Sequence, residues 1–153
     1  MNGLRRGRRA LLAAMPGLYL GTARAHGFSA GDIVIDHPYA TPTVAGESLL
    51  CFRALRNTGP RSDRLLGVRT AAAGMVEIRH ATGVEGVRQW RLVDALELPA
   101  AVDLRLRHDS DVQLRLLQLP APLNEGDRFA AMLRFERAGE RSVTVWVQQP
   151  RAA

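Results

Sequence analysis

The chain has 153 residues, 46% of them apolar, and a formal net charge of +6; that length suits one domain, and that apolar content excludes a chain too polar to bury a core. All 21 basic residues are arginine, and five of them (Arg5, Arg6, Arg8, Arg9 and Arg24) lie in the first 25 residues, which hold no acid. The remainder carries 16 arginines against 15 acids, a near balance that argues against a nucleic-acid-binding surface.

Residues 1–25, MNGLRRGRRALLAAMPGLYLGTARA, combine a basic start, an apolar middle and an Ala-x-Ala ending at Ala23 and Ala25. This is the pattern of a cleavable export signal, and it leaves an expected mature domain of residues 26–153 beginning at His26. Pro16 and Gly17 interrupt the apolar stretch well short of a bilayer's thickness, so no transmembrane segment is expected in the mature chain. The pair Arg8-Arg9 ahead of Ala10 and Leu11 also fits twin-arginine export. Arginine clusters are ordinary in any export signal, so the general secretory (Sec) route is the expected one.

From residue 26 onward the apolar period is two. Strands are expected at 32–36, 48–56, 64–69, 75–80 and 87–93. In VDLRL the inward residues are Val102, Leu104 and Leu106, and in VQLRLLQL they are Val112, Leu114 and Leu116, with Gln113 and Arg115 on the other face. FAAMLRFE turns Phe129, Ala131, Leu133 and Phe135 inward, and SVTVWV does the same with Val143, Val145 and Val147. Between these runs lie turn-forming segments at 57–63, 81–86, 107–111, 122–127 and 137–140, all rich in Gly, Pro, Asn or Asp. No stretch sustains a capped amphipathic helix. Eight or nine short strands at this spacing predict an all-β fold, a two-sheet antiparallel sandwich. The single cysteine, Cys51, sits in the apolar run SLLCF and reads as a buried structural thiol.

Five stretches in this order carry a family resemblance: IDHPYATPTVAGES (35–48), RNTGPRSDRLLGV (56–68), AAAGMVEI (71–78), LELPA (96–100) and PLNEGDRFAAMLRFERAGERSVTV (122–145). Together they resemble the periplasmic copper chaperones called PCu(A)C. The resemblance implies a cupredoxin-like antiparallel β-sandwich and a periplasmic location. It also implies a non-enzymatic role in delivering copper for cytochrome oxidase assembly. The implied partners are a copper-receiving oxidase subunit or another periplasmic metallochaperone.

The family's metal motif is a His, ten intervening residues, a Met, twenty-one further residues and then a His-x-Met pair. Thioether and imidazole donors suit Cu(I), and an x-spaced pair on a strand faces one way. Aligned on the shared stretches, the motif positions here are Arg79, Trp90, Gln113 and Arg115, so none of the four ligands is kept. A guanidinium about 4 Å from Cu(I) would cost roughly 4 kcal/mol at an effective dielectric near 20.

Three substitutes are open. Met75 shares the parity of Glu77 and Arg79, while His80 is one residue past the expected His and in a regular strand turns to the opposite face with Val76 and Ile78. With His108 from the following turn, these could form a repaired site. Alternatively, cleavage after Ala25 would free the amino group of His26, which with its own imidazole and that of His37 would favour Cu(II). Arg79, Arg88 and Arg115 could instead gather as an anion site, although ion pairs with Glu77 or Asp111 are the simpler expectation. Four scattered histidines, no nucleophile setting and no phosphate loop give no basis for catalysis. Beside the copper-chaperone reading stands a metal-free protein-interaction module on the same sandwich.

Overall fold

The computed structural model describes residues 27–44, 46–83 and 87–150. They form eleven strands: β1 (Gly27–Ala30), β2 (Ile33–Ala40), β3 (Ser48–Asn57), β4 (Asp63–Thr70), β5 (Met75–Thr82), β6 (Gln89–Val93), β7 (Leu96–Leu98), β8 (Asp103–Leu106), β9 (Val112–Leu117), β10 (Arg128–Phe135) and β11 (Gly139–Val147). The order across the hydrogen-bonded sheet is β6-β5-β9-β3-β2-β11-β10-β4-β7, with β1 added to β2 and β8 added to β3. Every pairing is antiparallel except a short parallel contact in which Trp146 and Val147 of β11 face Tyr39 and Ala40 of β2. The fold is the all-β cupredoxin-like sandwich, its two layers joined through β2 and β11.

The period-two alternation is what buries the core. Leu114 and Leu116 of β9, Ile78 of β5, Leu50, Phe52 and Leu55 of β3, Leu133 and Phe135 of β10 and Val143, Val145 and Val147 of β11 all point inward and are buried. Val102 departs from the alternation expected of it: β8 starts at Asp103, and Val102 remains 40% exposed. Two strands carried no usable pattern. β1 is the run GFSA and β7 only LEL, and each is a strand because a longer neighbour, β2 or β4, offers it a paired edge.

Turn chemistry closes the ends. In the 122–127 turn, Asn124 N–H donates to Asp127 Oδ2 at 2.8 Å and Gly126 takes φ 92°, a conformation open to glycine at no steric cost. The β10–β11 turn is pinned from β4. The buried Asp63 carboxylate accepts from the backbone N–H groups of Arg64, Arg137 and Ala138 at 2.7, 2.9 and 3.0 Å. Asn57, also buried, donates to Arg61 O and Leu98 O and accepts from Gly59 N–H, which ties down the β3–β4 loop.

Candidate functional site

Strands β6, β5 and β9 bring the four motif positions onto one outer face. β5 and β9 pair in unbroken register, with Arg79 opposite Gln113 and Glu77 opposite Arg115, while β6 sets Trp90 opposite Ala81 and Leu92 opposite Arg79. Arg115 lies over the Trp90 ring, 5.3 Å from its centroid. The groups are already partnered: Arg79 pairs with Glu77 at 2.6 Å, Arg115 with Glu47 at 3.0 Å and Arg88 with Asp111 at 3.4 Å. Glu77 and Asp111 are the partners the sequence suggested; Glu47, 68 residues from Arg115, left no local signal.

Gln113 was expected on a polar, solvated face and is instead buried, because the 107–111 turn folds against it and its Nε2 donates to His108 O at 2.8 Å. Its Oε1 and the Nε of Arg115 are buried without a hydrogen-bond partner. This face offers a cation two guanidinium groups, a carboxamide and an indole, with no imidazole or thioether at the motif positions. Its donor chemistry does not fit Cu(I).

Nor do the substitute residues converge. Met75 is on the Glu77–Arg79 face, 42% exposed, while His80 lies on the opposite face with Val76 and Ile78, and no bulge interrupts β5 to turn it back. His80 is exposed at the strand's end. His37 belongs to β2, three strands from β5 in the sheet order and so roughly 14 Å away. Among the described residues no group of three or more His, Cys, Asp or Glu side chains is arranged to hold a metal ion. His26 lies outside the described residues.

His37 has a setting of its own. It takes φ 46°, a left-handed conformation uncommon for a side-chain-bearing residue, and its Nε2 is 3.1 Å from Gln148 Oε1. Two residues on, Tyr39 stands opposite Cys51, with its ring centroid 5.9 Å from that of His37. Burial, then the neighbouring Cys51, pushes the Tyr39 hydroxyl up to about 12. Burial likewise pushes the Cys51 thiol up to about 12, partly offset by its hydrogen bond to Tyr39. A thiol so placed is neutral at physiological pH and is a poor nucleophile for redox exchange.

Comparison with known proteins agrees with this architecture. The family described as "Putative lipoprotein LpqE-like" matches residues 33–147. The fold is similar to a copper-bound PCuAC domain from PmoF2, at 24% identity over 82% of this chain and 99% of that one, with a TM-score of 0.68. It is also similar to the apo PmoF2 PCuAC domain, at 26% identity over 83% and 98% of the two chains, TM-score 0.67. CuI-DR1885 from Deinococcus radiodurans is similar at 21% identity over 75% and 78%, TM-score 0.60. A search of curated proteins returned no match. No helix among the described residues is long and apolar enough to cross a membrane. With the family match spanning most of the sequence and the sandwich shared with these domains, the chain belongs to the LpqE-like family and has the PCuAC-type fold.

Proposed function

We propose that the protein is an exported, periplasmic copper-chaperone-like protein that carries copper as cargo and acts in cytochrome oxidase assembly. Its copper site is altered and relocated. The ion leaves the Arg79, Trp90, Gln113 and Arg115 face and binds at the start of the mature chain. Cleavage after Ala25 frees the amino group of His26, which chelates together with its own imidazole, and His37 adds a second imidazole. Nitrogen donors of this kind favour Cu(II). The recipient is a copper-receiving oxidase subunit or another periplasmic metallochaperone, and the protein catalyses no reaction.

One observation carries this reading. β1 pairs with β2 so that Gly27 lies opposite Asp36. Gly27 follows His26 in the sequence and Asp36 precedes His37, and an imidazole from each side of this pairing would give one ion two nitrogen donors. The strained backbone of His37 adds support, because strain of that kind persists where surroundings hold a side chain to a purpose.

A second reading, a metal-free interaction module, is favoured by the ion pairs and indole contact that already occupy the motif face. Copper titration separates the two, using protein recovered after export with its N-terminus sequenced, and repeated with one extra residue ahead of His26. Stoichiometric binding that the extension abolishes supports the relocated site. Absence of binding in both forms supports the module. Binding that survives extension and vanishes on Met75→Ala or His80→Ala places copper on β5 and refutes both.

A further inference from the structure

At one end of the sandwich, away from the β5–β9 face, the β1–β2 turn, the β3–β4 loop and the β10–β11 turn enclose a cavity of about 270 Å³. Arg61, Arg137 and Arg141 line it together with Asp32, Asn57 and Asp63. Among the described residues seven arginines have a carboxylate partner (Arg53, Arg56, Arg64, Arg69, Arg79, Arg88 and Arg115), while Arg91, Arg105, Arg107, Arg128 and Arg134 have none. Among the described residues, the three at the cavity have no ion pair.

The cavity is held in shape by its own buried polar groups. Asp63 spends its carboxylate on three backbone N–H groups, two of them in the turn that carries Arg137, and Asn57 fixes the loop that carries Arg61. The Asp63 oxygens are thus occupied by amides and form no ion pair with the three guanidinium groups, although the Asp63 and Asp32 charges leave the lining with a net charge of only +1. Arg141 donates through Nη1 to Glu140 O at 2.8 Å, while its Nε is buried with no hydrogen-bond partner. The guanidinium groups of Arg61 and Arg137 and Nη2 of Arg141 have no hydrogen-bond partner among the described residues, so they are free to donate to an anion in the cavity.

We propose that this cavity binds a phosphate group that still carries a proton. Three guanidinium groups supply fork-shaped, charge-assisted donors for a tetrahedral oxyanion. Asp32 supplies the selectivity. Its carboxylate is packed on Gly59, where a Cβ would lie 2.4 Å from Asp32 Oδ2, so the missing side chain at residue 59 is what leaves the carboxylate its place at the rim. An ionised carboxylate only accepts hydrogen bonds. It welcomes a hydrogen phosphate, which has a P–O–H to donate, and repels sulfate, which has none. The volume suits a free phosphate ion or a lipid phosphomonoester headgroup, and the recognition chemistry is common to both.

The test is an amide chemical-shift titration near neutral pH, at ionic strength held constant with chloride, using inorganic phosphate and then sulfate. The expected result is a saturable phosphate response confined to residues 31–32, 57–63 and 136–141, with sulfate about tenfold weaker. Arg141→Met and Arg137→Met, which keep most of the side-chain stem, should each weaken phosphate about tenfold, as loss of a hydrogen bond to a charged group predicts. Asp32→Asn should abolish the preference for phosphate over sulfate. Co-sedimentation with phosphatidylcholine vesicles containing phosphatidic acid identifies a headgroup ligand, and phosphate binding without co-sedimentation identifies the free ion. A phosphate response that never saturates, that chloride reproduces, or that both arginine variants leave unchanged overturns the proposal.

Discussion

At the positions where the family resemblance would place copper ligands, Arg79 and Arg115 are both engaged: Arg79 by Glu77, Arg115 by Glu47 and the Trp90 ring. Both pairs are partly buried, the arginine side chains 29% and 18% exposed, so desolvation of the charges offsets much of their attraction. Their effect is on what the face can bind. If the motif positions are assigned correctly, the combined substitution Arg79→His, Trp90→Met, Gln113→His and Arg115→Met should create a Cu(I) site. Competition against bicinchoninate should then show one ion bound per chain where the parent binds none on this face. A variant that melts like the parent yet gains no copper would show that the positions were misassigned.

Among the elements, the β10–β11 hairpin illustrates how a turn can depend on a distant strand. Its 136–138 connection is held by the Asp63 carboxylate at the start of β4 and by a backbone hydrogen bond from Glu136 N–H to Arg64 O at 2.9 Å. Removing a buried carboxylate strands several donors at once, and each buried group left unsatisfied costs about 1–3 kcal/mol. Asp63→Ala should therefore lose about 3 kcal/mol in urea unfolding. Asp36→Ala, which breaks only the exposed pair with Arg53, should lose less than about 1 kcal/mol. Equal losses in the two variants would contradict the pinning role given to Asp63.

Across the whole molecule, the described residues carry seven arginine–carboxylate pairs, and two of them bear on its response to acid. Hydrogen bonding to Arg56 holds the Asp103 carboxyl below its ordinary 3.8, and hydrogen bonding to Arg64 holds the Glu136 carboxyl below its ordinary 4.5. A carboxyl whose folded-state value lies below its unfolded value contributes stability that is complete above the unfolded value and is lost as pH falls through the folded one. The melting temperature should thus stay level from neutral pH to about 5 and decline below about 4.5. Because both pairs are at the surface, molar salt should flatten that decline. A melting temperature already falling between pH 7 and pH 5 would show that some other group governs acid stability.

What the sequence determined by itself is the sandwich and its core. Alternation is a local property, so Leu114 and Leu116 against Gln113 and Arg115, or Val143, Val145 and Val147 against their neighbours, state the buried face without knowledge of the partner strand. The same parity rule separates Met75 from His80, because a strand without a bulge must alternate. β1 and β7 carry no such signal for the converse reason. GFSA and LEL hold too few apolar residues to show a period, and their pairing comes from the edges of β2 and β4. Only the tertiary structure decided who meets whom. Glu47 with Arg115, Asp63 with the 136–138 turn, and the gathering of Arg61, Arg137 and Arg141 around one cavity all join segments about 70 or more residues apart. Strand order and register fix such meetings, and they follow from the packing of the whole sheet, which no window of the sequence contains.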